Sequence, residues 1–153
     1  MEKNENLKHV QNIVKDMEKY ASGDYFIYNG ELFPIDERDF ANVSGCTIQK
    51  ENILDEIHAF YIMPDGEAIF EGDIEIVDIG DYFDDFYDID YVIGSDKHYK
   101  ACRVLVACGG PDIYVDTWLQ HVLLSWWGKH AEVYIPDELC EQIDNFFKAI
   151  YEC

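Results

Sequence analysis

Aspartates stand at positions 81, 84, 85 and 88, the i, i+3, i+4, i+7 spacing that lines one face of a helix. Carboxylates in such a set can hold a divalent cation, act as an acid–base pair, or meet cationic side chains of another protein. An EF-hand loop needs acids at its positions 1, 3 and 5, glycine at 6 and glutamate at 12. Counted from Asp73, Asp84 or Asp88, the glycine is missing each time. Carboxylate pairs of the glycosidase kind occur in any acidic chain and single out no site here. The histidines, His9, His58, His98, His121 and His130, form no H-E-x-x-H, and there is no G-x-S-x-G. Five cysteines (46, 102, 108, 140 and 153) include no C-x2-C pair, so free thiols in a reducing compartment are expected. Cys108 with His121 or His130 is the one thiol–imidazole pairing to consider, and it has no local signature. Gly109-Gly110-Pro111 reads as a turn, since no Lys-Ser/Thr follows and proline removes an amide donor. Neither a metal nor a cofactor is expected.

The third use of the aspartates has more behind it. Between Lys50 and Lys97 lie 46 residues with fifteen acids and no lysine or arginine, in a chain of formal charge −21. Crowded like charge disfavours the compact state, so a cationic partner surface is the natural counterpart. Direct nucleic-acid binding is electrostatically opposed, because binders meet phosphate with positive charge. That argues against reading Trp118, Trp126 and Trp127 as a base-stacking platform. On a strand, Trp126 and Trp127 would point to opposite faces, one of them into the core. An aromatic fraction of 15% separates the chain from disordered acidic tails. No apolar run approaches the roughly 18–20 residues of a membrane span, and Met1–Asn6 is polar, unlike a secretory signal; a cytoplasmic protein is expected.

The elements that would position these residues make an α+β fold of one domain over residues 1–153. Leu7, Val10, Ile13, Val14, Met17 and Tyr20 predict a helix over 4–21. Tyr25–Tyr28 and Glu31–Phe33 flank Asn29-Gly30 and predict a hairpin. A short helix is expected over Asn52–Ala59, then a strand over Phe60–Met63, with 67–79 strand-like in part. Residues 80–93 are ambiguous: a helix would gather Asp81, Asp84, Asp85 and Asp88 into one acidic stripe, at some cost in like-charge repulsion. Four short strands follow (101–108, 113–115, 122–127 and 131–135), which implies an antiparallel meander. A final helix over 137–152 buries Leu139, Ile143, Phe146, Phe147 and Ile150.

The block Tyr99–Cys153 contains Ala107-Cys108-Gly109-Gly110-Pro111-Asp112-Ile113-Tyr114-Val115-Asp116-Thr117, Trp126-Trp127-Gly128 and Ile143-Asp144-Asn145-Phe146-Phe147. With the acidic stretch Tyr82–Gly94, it resembles the small acidic accessory proteins of phages, plasmids and conjugative elements. In size and charge the chain is similar to anti-restriction and anti-CRISPR proteins, many of which imitate DNA. That resemblance implies a non-enzymatic inhibitor in the host cytoplasm, seated in the basic nucleic-acid groove of a CRISPR effector or restriction enzyme. The residues expected to carry binding are Asp78, Asp81, Asp84, Asp85, Asp88 and Asp90, supported by Glu71, Asp73 and Glu75, with Tyr82 and Tyr87 beside them. The alternatives are an acidic immunity protein that neutralises a cognate toxin, and a small enzyme using a carboxylate pair or Cys108.

Overall fold

The computed structural model describes residues 2–35, 42–43 and 46–153. It has an α+β fold, as expected, with antiparallel sheets and helices at both ends of the chain. The packing groups the chain into two compact units, Met1–Ala21 with Asp78–Cys153, and Ser22–Val77. Each has its own apolar core.

In the first unit, helix α1 (Glu2–Ser22) opens the chain. Its apolar stripe buries Val10, Val14 and Met17, while Leu7 stays exposed. The smaller unit begins with β1 (Tyr25–Tyr28) and β2 (Glu31–Pro34), joined through Asn29-Gly30. Strands β3 (Asn42–Val43), β4 (Cys46–Ile53), β5 (Glu56–Ile62) and β6 (Ala68–Phe70) form its four-stranded sheet in chain order. Phe26, Phe33, Ile48, Tyr61 and Met63 are its core. The helix expected over Asn52–Ala59 is a hairpin instead: Ile53 pairs with Glu56 across a two-residue turn at Leu54-Asp55. β-Branched Ile53 and Ile57 with aromatic Phe60 favour the pleated ribbon over a helix turn. A single 3-10 turn (Glu71–Asp73) and an isolated bridge between Phe26 and Ile76 complete the unit.

The larger unit resumes with α2 (Ile79–Tyr82) and continues into β7 (Asp88–Ile93), β8 (Tyr99–Ala107), β9 (Asp112–Asp116), β10 (His121–Trp126), β11 (Lys129–Tyr134) and α3 (Asp137–Tyr151). The strands form a five-stranded meander in chain order, so β7 adds one strand to the four expected. One sheet face contributes Cys102, Val104, Ile113, Val115, Val122 and Leu124 to the core that α1 and α3 complete. On α3, Leu139, Ile143 and Phe147 are buried as expected, together with Cys140, whereas Ile150 is exposed. The burial of these apolar faces, at about 25 cal/mol per Å², is what holds helices to sheet. Both Trp126 (40% exposed) and Trp127 (83%) face outward, so neither indole enters the core. The strand ends at Trp126, and Trp127-Gly128 is a two-residue turn with positive φ at both positions, which breaks the expected alternation.

Candidate functional site

The single acidic helix stripe does not form. The helix is four residues long, and Asp84 and Asp85 lie in the turn after it. Asp88 and Asp90 sit on β7, alternating with core-facing Ile89 and Tyr91. A period of two therefore governs residues 88–91, a stretch whose sequence left helix and other conformations open. Glu71, Asp73 and Glu75 belong to the smaller unit, so the candidate set is divided between two bodies.

Three of the aspartates accept backbone hydrogen bonds. Asp78 caps α2: its Oδ1 accepts from the Asp81 amide at 3.1 Å, and Asp81 Oδ2 accepts from the Asp78 amide at 2.8 Å. This reciprocal box ties both backbone amides to side-chain carboxylates at the helix start. Asp88 Oδ1 accepts from the amide of Ile89 at 2.9 Å. Asp90 is registered opposite Arg103, which also faces Asp116 across the next strand; the Arg103 guanidinium lies 4.0 Å from the Tyr114 ring centre. Tyr82 is half-buried, with its ring edge-on to Tyr20 at 5.3 Å, and burial first, then Asp16, pushes its hydroxyl pKa up. It is thus a packing residue, whereas Tyr87 is 64% exposed.

All fifteen acids between residues 51 and 96 are exposed. Among the described residues, their ion pairs are Asp96 with Lys100 at 3.6 Å and Glu56 with His58 at 3.9 Å. None of the nine carboxylates expected to carry binding enters an ion pair there. In the smaller unit Asp65 and Glu67 both accept from the Tyr28 hydroxyl. The Glu67 amide, then Tyr28, hold the Asp65 carboxyl below its ordinary value.

Strand register gathers several of these groups at one end of the meander. Tyr87 donates its amide to Leu105 O, and Asp88 faces Leu105 near the end of β8. Asp112 opens β9 opposite Ser125, next to the Trp126–Lys129 pair. Asp84, Asp85, Tyr87 and Asp88 on one side and Trp126 and Trp127 on the other therefore share that end. Sequence reading placed one of the two indoles in the core, and so missed the pair as surface groups. It also missed the exposed Ile53, Leu54 and Ile57 at the β4–β5 tip. The signal lay in turn conformation, which neither residue pair announces.

Cys108 is exposed at the end of β8, and among the described residues no hydrogen bond joins it to His121 or His130. His121 Nδ1 lies 3.1 Å from Glu132 Oε2, and its place at the start of β10 is the far end of that strand from Trp126. A buried polar cluster has another role. Asp144 Oδ1 on α3 accepts from Tyr99 Oη at 2.6 Å and from Thr117 Oγ1 at 2.7 Å. Thr117 Oγ1 in turn accepts from the Cys102 amide at 2.9 Å. The cluster ties helix to sheet. Burial, foremost, pushes the Cys102 thiol up to about 11. Among the described residues no three His, Cys, Asp or Glu side chains are grouped to hold a metal, and no helix is long and apolar enough to cross a membrane. No protein family, curated protein or solved structure matches the chain.

Proposed function

We propose that this protein is a non-enzymatic inhibitor that occupies the basic nucleic-acid groove of a host-defence enzyme, a restriction enzyme or CRISPR effector, as an acidic mimic of DNA. One observation carries the reading: fifteen acids in a stretch of 46 residues without lysine or arginine are all exposed, and among the described residues the ion pairs they make are those of Asp96 and Glu56. A fold that holds this charge in water has anionic side chains ready for lysines and arginines that otherwise bind phosphate. Asp88 and Asp90, two residues apart on a strand, are spaced about 6.5–7 Å along it, a repeat commensurate with a phosphate chain that advances about 3.4 Å axially per nucleotide with lateral offset. The exposed Tyr87, Trp126 and Trp127 at one sheet end supply the aromatic anchors that dominate protein–protein contacts.

The test is inhibition of purified restriction and CRISPR nucleases, with duplex DNA as competitor. A mimic gives competitive kinetics, and its potency falls steeply with salt. Inhibition that DNA leaves unchanged would instead favour an immunity-type plug, and lack of inhibition across such a panel would remove the proposal.

A further inference from the structure

The larger unit contains a concavity of about 330 Å³ between α1, the turn after α2 and the β8–β9 end of the sheet. Its floor is Phe83 and Ile113, almost fully buried; Tyr82 and Phe86 form walls; His9 and Asp85 stand at the rim. The volume is at the lower limit of small-molecule sites, which fits one long side chain better than a drug-sized ligand. Among the described residues no lysine or arginine lines it. Three aromatic rings beside a carboxylate attract a cation by their quadrupoles and by charge. Half-buried Ile13, Val106 and Ala107 in the lining offer apolar surface to an alkyl stem. Guanidinium meets these demands better than ammonium: it is planar, stacks on rings, pairs bidentately with carboxylate and is more weakly hydrated.

We propose that this concavity receives an arginine side chain of the partner protein, with the stem along half-buried Ile13, Val106 and Ala107, the guanidinium against Tyr82 and Phe86, and Asp85 as its counter-ion. The inference rests on the reading of the chain as an acidic inhibitor, because Asp85 of the acidic stretch lines the pocket and is exposed. It changes that surface from a diffuse charge into one with a specific anchor.

The test uses small probes and needs no partner. n-Butylguanidinium, n-butylammonium and n-pentanol are titrated separately into the full chain, followed by NMR shifts of the Ile13, Phe83, Phe86 and Ile113 side chains. Butylguanidinium should saturate these shifts at lower concentration than the other two. Asp85→Asn should weaken it by ~3–10-fold, the effect of one charge-assisted contact, and leave pentanol unchanged. Phe86→Ala, which opens one wall, should weaken all three probes. Equal affinity for pentanol and butylguanidinium, or shifts confined to exposed aspartates, would overturn the pocket. Either result would leave the nuclease competition above to decide the mimicry reading separately.

Discussion

Truncating Asp144 should loosen the larger unit more than any change among the exposed aspartates. Asp144→Ala removes the acceptor of two short hydroxyl bonds, 2.6 Å from Tyr99 and 2.7 Å from Thr117. Bonds to a charged acceptor contribute about 1.5–3 kcal/mol each. Thr117 has a fallback, because its hydroxyl also lies 3.3 Å from Cys102 O. Tyr99 is 7% exposed, so water reaches its hydroxyl poorly. Allowing for the fallback, the expected loss is ~2–4 kcal/mol. At ~2–4 °C per kcal/mol for a chain of this size, the melting midpoint should fall by at least ~4 °C. Asp144→Asn keeps an uncharged acceptor and should lose about half as much. Tryptophan fluorescence during urea unfolding is a suitable readout, because Trp118, Trp126 and Trp127 all belong to the larger unit. A double-mutant cycle with Thr117→Val should show coupling of ~0.5–3 kcal/mol. A loss below ~1 kcal/mol for Asp144→Ala, or zero coupling, would refute the idea that this cluster braces α3 against the sheet.

Two further outcomes follow from turns and thiols. Leu54 (φ 53°) and Trp127 (φ 50°) occupy left-handed positions that disfavour bulky side chains. Leu54→Asn with Asp55→Gly, and separately Trp127→Asn, should each raise stability by ~0.5–1 kcal/mol in urea titrations, and a fall in either would contradict the turn assignment. In a Cys46→Ser background at pH 8, exposed Cys108 and Cys153 should react promptly with an aromatic disulfide reagent. Buried Cys102 and Cys140, whose thiols burial pushes up to about 11 and about 12, should react only on unfolding; four fast thiols would contradict their burial.

The contrast among three hairpins explains what the sequence made legible. Asn29-Gly30, Leu54-Asp55 and Trp127-Gly128 share one backbone conformation, with positive φ at both residues. Only the first carries favoured residues at both positions, so only there was the turn's position legible; the turn before β11 was expected one residue late. The closing helix was legible because Leu139, Ile143 and Phe147 recur every four residues and all reach the core. The stretch 80–93 stayed ambiguous because exposed aspartates carry no packing constraint, and their helical spacing masked the alternation of Ile89 and Tyr91 that builds β7. The amount of charge, its position in the chain and the absence of matching bases were open to reading. Which carboxylates cap a helix, which face Arg103 and which stay uncommitted depend on strand register, and composition does not encode that.

The most direct test of the central claim is a competition measurement with a nuclease the protein inhibits. Wild type and a triple variant, Asp84→Asn, Asp85→Asn and Asp88→Asn, would be titrated against enzyme and labelled duplex DNA at ~50 and ~200 mM salt. These three residues are chosen because they lie outside the α2 capping box. The account predicts that wild type displaces DNA competitively and loses affinity as salt rises. The variant, folded by circular dichroism, should bind at least ~10-fold more weakly and with a shallower salt dependence. A variant that displaces DNA as well as wild type at both salt concentrations would contradict the claim that these carboxylates meet the enzyme's cations.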